Sequence, residues 1–190
     1  MNQKNKYFKN IRIVGGKWRQ RKLSVSYYPC LRPTTNKAKE TLFNWLFSIV
    51  PGAHCLDCFA GTGSLGIEAL SRHAAKVTFV EKNKNVSFDL IKNIKNLDPV
   101  KTVVINMNLY TWLERSHEAY NIVFIDPPFR RGMVQITIQL LEKYNLLVDK
   151  AYVYVETEKK DVSYSVPNNW ILHRKKKIGN VLHQLFISMK

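Results

Sequence analysis

The sequence predicts an α/β fold, with a mostly parallel, seven-stranded sheet covered by helices on both faces, a terminal antiparallel hairpin, and a small basic hairpin in front. Three observations carry this. Near-continuous apolar runs alternate with amphipathic stretches, glycine- and proline-containing breaks fall where those runs end, and only Ile178-Gly179-Asn180 separates the last two runs. A link that short permits only a hairpin, so one strand at the end of the sheet runs against the others.

Taken in order, the chain opens with a composition unlike the rest: the first 39 residues hold 11 Lys or Arg and no Asp or Glu. Such a segment is a recognition surface before it is a scaffold. Within residues 1–30, Ile11, Ile13 and Val14 flank Arg12 and precede Gly15-Gly16. Lys17, Trp18, Arg19, Arg21 and Lys22 then lead to Leu23-Ser24-Val25. The pattern predicts a twisted hairpin with a basic face, on which Trp18 suits either stacking on a base or packing against the body.

Residues 31–190 form the main domain. Arg32-Pro33-Thr34-Thr35 leads into a helix with Ala38, Leu42, Trp45, Leu46 and Ile49 on one face, a threonine cap, and Pro51-Gly52 as its stop. Strands are expected near 54–59, 76–81, 100–105, 121–126 and 151–156, and helices near 64–72, 84–96, 110–116 and 132–143. Trp170 to Lys177 and Val181 to Ile187 form the terminal hairpin. That ending is not the pattern of an ordinary dinucleotide dehydrogenase; it is the pattern of a class I S-adenosylmethionine-dependent methyltransferase.

A formal charge of +16 on 190 residues makes a polyanion the default partner. No run of 18 apolar residues exists and MNQKNKYFKN lacks the apolar stretch of a signal peptide, so a cytoplasmic protein with no membrane partner is expected. A monomer is the prior, because a core of this size needs no partner. Cys30, Cys55 and Cys58 are odd in number. With no second cysteine pair or histidine cluster to complete a tetrahedral site, they read as core thiols, and no metal is expected.

The run Leu56-Asp57-Cys58-Phe59-Ala60-Gly61-Thr62-Gly63-Ser64-Leu65-Gly66 passes from the first core strand into a helix. Gly61 and Gly63 permit a tight turn and close backbone approach to an adenosine-containing ligand. The spacing Gly61, Gly63, Gly66 with Glu81 at the end of the next strand fits a nucleotide fingerprint, in which the acid grips ribose hydroxyls. Asp57 favours S-adenosylmethionine over a dinucleotide, since a carboxylate repels a pyrophosphate and receives a methionine ammonium. Asn108, after the third core strand, is placed to meet adenine. Each also suits a structural role: Asp57 in the turn, Glu81 beside Lys82, Asn108 as a helix cap.

Asp126-Pro127-Pro128-Phe129 closes the run Ile122-Val123-Phe124-Ile125. Asp126 and the carbonyl preceding Pro128 both accept hydrogen bonds from an exocyclic amine, and Phe129 offers a stacking face for a flat base. Two acceptors holding both N–H bonds favour pyramidalisation and aim the nitrogen lone pair at a methyl donor. The nitrogen turns acidic only after methylation, so no histidine is needed, and all five histidines read as structural or surface residues. Arg130 and Arg131 follow where the adjoining phosphates would pass.

The chain resembles the bacterial 16S ribosomal RNA guanine-N2 methyltransferases through IRIVGGKWRQRKL at 11–23, LRPTTNKAKETLFNWL at 31–46, CLDCFAGTGSLGIEALSR at 55–72, VEKN at 80–83, NIVFIDPPFRRG at 121–132 and YVETE at 154–158. The resemblance implies that Asp57, Phe59, Gly61, Gly63, Glu81 and Asn108 hold S-adenosylmethionine, with Thr34 and Thr35 near its methionine end. It implies that Asp126 to Phe129 hold guanine, and that the substrate is 16S rRNA in an assembled or assembling small subunit. Two other readings stand beside it. One is a DNA adenine-N6 methyltransferase, disfavoured by the lack of a sizeable target-recognition element. The other is a non-catalytic assembly factor, disfavoured by the intact Asp-Pro-Pro-Phe and glycine turns.

Overall fold

In the computed structural model, residues 9–26, 28, 34–159 and 164–190 are described; Cys30, Arg32 and Lys160 lie outside them. The amino-terminal hairpin pairs β1 (Lys9–Arg12) with β2 (Lys22–Val25), joined through a short 3₁₀ turn at Gly16–Trp18. Alternation turns Ile11, Ile13, Leu23 and Val25 inward, where they join the same apolar cluster as α1 (Asn36–Trp45) and α2 (Ser64–Ser71). Thr35 caps α1 by accepting from Ala38 N, and past Trp45 the chain turns toward Pro51 with Leu46 and Val50 buried.

The main sheet contains β3 (His54–Asp57), β4 (Lys76–Val80), β5 (Thr102–Ile105), β6 (Tyr120–Ile125), β7 (Leu147–Glu158), β8 (Trp170–Ile178) and β9 (Val181–Ser188). Their spatial order is β5-β4-β3-β6-β7-β9-β8. Strands β3 to β7 are parallel, and β9 inserts antiparallel between β7 and β8. The expected hairpin is present, with its two strands at the sheet's end.

Period-two alternation divides the core. Cys55, Val77, Phe79, Ile122, Phe124 and Tyr154 face the hairpin side with α1, α2 and α3 (Lys84–Lys95). Leu56, Val80, Val123, Ile125, Val153 and Val155 face α4 (Leu109–Leu113) and α5 (Met133–Lys143). Strand β7 is longer than the run 151–156 suggested, because a register shift between Tyr120 and Ile122 lets Leu147 pair with Tyr120. Helix α4 starts earlier and ends sooner than 110–116, because Asn108 caps it through Tyr110 N. Cys55 and Cys58 are buried core thiols, and burial pushes both pKa values up.

The chain moves outward from β3 through β4 to β5, then returns to place β6 on the other flank of β3. Connections therefore diverge above the carboxyl ends of β3 and β6. A crevice at such a reversal is where open α/β sheets hold ligands.

Candidate active site

A cavity of about 580 Å³ opens at that point. Asp57, at the end of β3, and Asp126, one residue past β6, both line it. Gly61 and Gly63 turn the chain with φ of +50° and +78°, and Gly63 is the N-cap of α2. A Cβ on Gly63 would lie 2.4 Å from Leu90 Cδ1, and one on Gly66 would lie 2.2 Å from Phe79 Cε1. The turn is thus seated directly on the core.

Hydrogen bonds fix the acids of this wall. Asp57 Oδ2 accepts from Gly66 N at 3.0 Å, while Glu81 accepts from Gly61 N at 2.9 Å and from Asn83 N at 2.7 Å. Asn106 Nδ2 donates to Glu81 O at 2.8 Å, steadying the strand end from β5. Burial raises the Asp57 pKa to about 7; the Gly66 amide opposes that shift and the Glu81 charge adds to it. A bound cation would relieve a carboxylate in that environment.

The expected cofactor residues Thr34, Thr35, Asp57, Phe59, Gly61, Glu81 and Asn108 all line the cavity, and Gly63 shapes the turn behind them. Asp57 and Asn108 also carry the local structural bonds that their types suggested, within the turn and as the cap of α4. Ser64 Oγ, on the first residue of α2, is buried at this wall and has no hydrogen-bond partner among the described residues. An orphaned hydroxyl beside a glycine turn, a carboxylate and a cavity of this size fits a polar, adenosine-sized ligand.

Asp126, Pro127, Pro128 and Phe129 line the same cavity from the end of β6, the strand paired with β3. Pro127 is buried, Pro128 exposed, and Asp126 and Phe129 half-buried at the mouth. Thr34 Oγ1 donates to Asp126 Oδ2 at 3.2 Å. Arg131 reaches the cavity, whereas Arg130 is paired with Glu158 at 2.7 Å.

The basic residues of the hairpin lie elsewhere. Arg12, Lys17, Arg19, Arg21 and Lys22 are exposed; Trp18 is half-buried against the core with the Lys17 ammonium 4.5 Å over its ring. Lys17 pairs with Asp98 at 3.2 Å and Arg21 donates to Asn96 O at 3.1 Å, just past the end of α3. Arg12 bonds Gln20. The hairpin is bolted down from below: Val14 N donates to Glu68 at 2.8 Å, Trp18 N to Ser71 Oγ at 3.0 Å, and buried Lys39 to Arg12 O. Arg72 also pairs with Glu68 at 2.9 Å. On the terminal hairpin, Arg174 to Lys177 lie exposed along the edge strand β8.

Tyr28, Glu156 and His183 are among the cavity residues that the sequence pattern did not assign to the site. Tyr28 is held by Asp89 at 3.0 Å. Glu156 and His183 are cross-strand partners on β7 and β9, a relationship that only the register reveals. No group of three or more His, Cys, Asp or Glu among the described residues is arranged to hold a metal ion, and no helix there is long and apolar enough to cross a membrane.

Comparison with known proteins places this geometry. Residues 11–187 match the family described as Conserved hypothetical protein 95. Ribosomal RNA small subunit methyltransferase D of Escherichia coli is 51% identical over 93% of this chain and 89% of its own length. The protein of the same name from Haemophilus influenzae is 44% identical over 93% of each. A solved candidate methyltransferase from Escherichia coli, yhhF, superposes with a TM-score of 0.88 at 47% identity, over 95% of this chain and 99% of that one. The fold is that of the class I methyltransferases, shared even with a candidate S-adenosylmethionine-dependent methyltransferase from Streptococcus mutans at 15% identity and a TM-score of 0.73, over 98% of this chain and 57% of that one. By its glycine turn, its Asp126 turn and these likenesses along nearly the whole chain, the protein belongs to the ribosomal RNA small subunit methyltransferase D family.

Proposed function

We propose that this protein transfers a methyl group from S-adenosylmethionine to the exocyclic N2 of one guanine in 16S rRNA, within an assembled or assembling small ribosomal subunit. The observation that carries the reading is a single cavity lined both by the Gly61 turn, Asp57 and Glu81 and by Asp126 to Phe129. The names of the relatives support RNA of the small subunit as substrate.

S-adenosylmethionine supplies an electrophilic methyl on a sulfonium. Glu81, held by the Gly61 and Asn83 amides, has the position of a ribose-binding acid. Asp57 receives the ammonium, whose charge restores the carboxylate that burial disfavours. Asn108 meets the adenine edge, and Thr34 and Thr35 flank the methionine end. Asp126 and the Pro127 carbonyl hold the two N–H bonds of the amine, and Phe129 stacks on the base. Alignment supplies most of the acceleration, since a delocalised amine is a poor nucleophile only while its lone pair stays in the ring's π system. Asp126 or water takes the proton after transfer.

Residues 1–30 act as a basic RNA-binding extension to the methyltransferase domain at 31–190. Arg12, Lys17, Trp18, Arg19, Arg21 and Lys22, with Arg130 and Arg131 at the mouth, form the footprint on a monomer working in the cytoplasm. The test is transfer of labelled methyl from S-adenosylmethionine to small subunits from a strain lacking the protein, followed by digestion and mass identification of the nucleoside. N2-methylguanosine is expected. A different methylated nucleoside, or label on DNA alone, overturns the assignment.

A further inference from the structure

Beside the Asp126 turn lies a second polar station to which the reaction as described gives no work. Strands β6 and β7 pair Ile125 with Val155, so the residues one step onward, Asp126 and Glu156, stand side by side at the carboxyl end of the sheet. Across the other edge of β7, Glu156 pairs with His183 of β9. Asp126, Glu156 and His183 thus form a row across three strands, and all three line the cavity.

This row is braced from beneath. Tyr154, two residues before Glu156 on the same face, is fully buried and donates to Glu156 Oε2 at 2.9 Å. His183 Nδ1 lies 2.6 Å from the same hydroxyl, and its ring stacks on Tyr154 with 19° between planes. Because the hydroxyl proton goes to Glu156, the remaining bond needs the proton on His183 Nδ1. Burial first, then the Glu156 and Asp126 charges, raise the Tyr154 pKa well above the phenol range, which places both acids close to one hydroxyl. Glu156 is only 7% exposed. Apolar side chains would fill such a wall at lower cost than an acid, a phenol and an imidazole held in one chain of bonds.

We infer that Glu156, held in place by Tyr154 and His183, is the specificity residue that accepts the N1–H of the target guanine. The inference rests on the proposed guanine-N2 reading. In guanine the N1–H lies next to the 2-amino group, so an amine held at Asp126 presents N1 to the neighbouring station, where Glu156 stands. Purines with the same 2-amino group but a bare N1 lone pair meet a carboxylate there, acceptor against acceptor. A buried polar site built for a donor rejects a ligand lacking it far more strongly than an apolar pocket rejects a misfit. Glu156 therefore selects the base, while Asp126 aims its amine.

The test uses small subunits reconstituted with 16S RNA carrying either guanine or 2-aminopurine, joined by splinted ligation at the mapped position of methylation. The wild-type protein should form N2-methylguanosine and prefer guanine by about 10²-fold or more in kcat/KM. Glu156→Gln offers an amide N–H to the bare N1, and should cut that preference to below about 10-fold by losing rate on guanine and gaining it on 2-aminopurine. A preserved thermal shift on adding S-adenosylmethionine certifies the folded variant. Should Glu156→Gln fail to fold, Tyr154→Phe releases the brace and lowers the guanine preference by about 10-fold. N2-methylguanosine from the wild type, with an unchanged preference in the variant, overturns the inference alone. Absence of N2-methylguanosine from the wild type overturns the parent reading and the inference together.

Discussion

Thr34 Oγ1 donates a 3.2 Å hydrogen bond to Asp126 Oδ2, tying together residues 92 positions apart. The segment that leads into α1 therefore helps to set the carboxylate at the end of β6. Thr34→Val keeps the side-chain shape and deletes the donor. Single-turnover methyl transfer should slow by about 10-fold, the worth of one hydrogen bond to a charged group. The same substitution in an Asp126→Ala background should cost little more, because the bond is already gone.

In the proposed reaction, Asp126→Ala would remove one of the two acceptors that hold the amine. Methyl transfer should fall by about 10²- to 10³-fold, the usual loss for one preorganised group at a reacting centre. Calorimetric titration with S-adenosylmethionine should remain near wild type, since the acids proposed to hold the cofactor, Asp57 and Glu81, lie at the end of β3 and just past β4.

If Asp57 holds the ammonium as proposed, cofactor binding should depend on pH. The Asp57 pKa rises on folding from 3.8 to about 7, so the ligand-free protein holds a proton that the unfolded chain releases. That linkage contributes stability fully below 3.8, and the contribution is lost as pH rises toward about 7. Binding an ammonium expels the proton. Affinity for S-adenosylmethionine should therefore climb by about tenfold per pH unit below the folded pKa and level off above it. Asp57→Asn should flatten the profile, and titration in two buffers of different ionisation enthalpy should register proton release in the wild type only.

Gly66→Ala tests the seat of the glycine turn. The new Cβ would stand 2.2 Å from a ring carbon of Phe79, a core side chain with 0% exposure. Overpacking there should destabilise the fold by about 1–3 kcal/mol. Denaturant unfolding measures the loss, and the cofactor affinity should fall with it.

Arg19→Glu with Lys22→Glu places acids on the exposed face of the hairpin, away from the Lys17–Asp98 pair. Binding to small-subunit RNA should weaken, and the slope of log affinity against log salt should flatten by about 0.7 for each phosphate that the hairpin no longer neutralises. Cofactor binding should not move.

Much of this was legible in the residues. Alternation through Phe124 and Val123, or Tyr154 and Val153, separates two core faces, and Asp57, Glu81 and Asp126 stand where apolar runs stop. The short link at Gly179 exposed the antiparallel ending. Glu156 was harder, because an acid within a strand reads as a solvated face until cross-strand register sets it beside Asp126. His183 has the same disguise, its neighbours being supplied by β7 rather than by its own strand. Asn108 could be read as cap or as ligand; it caps α4 and lines the cavity together, so its type alone favoured neither.

The hairpin's seating bears on how a target would be found. A Cβ on Gly16 would fall 1.9 Å from the Ser71 carbonyl, so the turn of the hairpin lies flush on the end of α2. A floating tail would sweep a volume and serve any nucleotide within its reach. A flush one would work as a caliper: a strand clasped at the hairpin, as proposed, would offer the cavity only nucleotides at one span from the clasp, and distance along the RNA would join base identity as a criterion of choice.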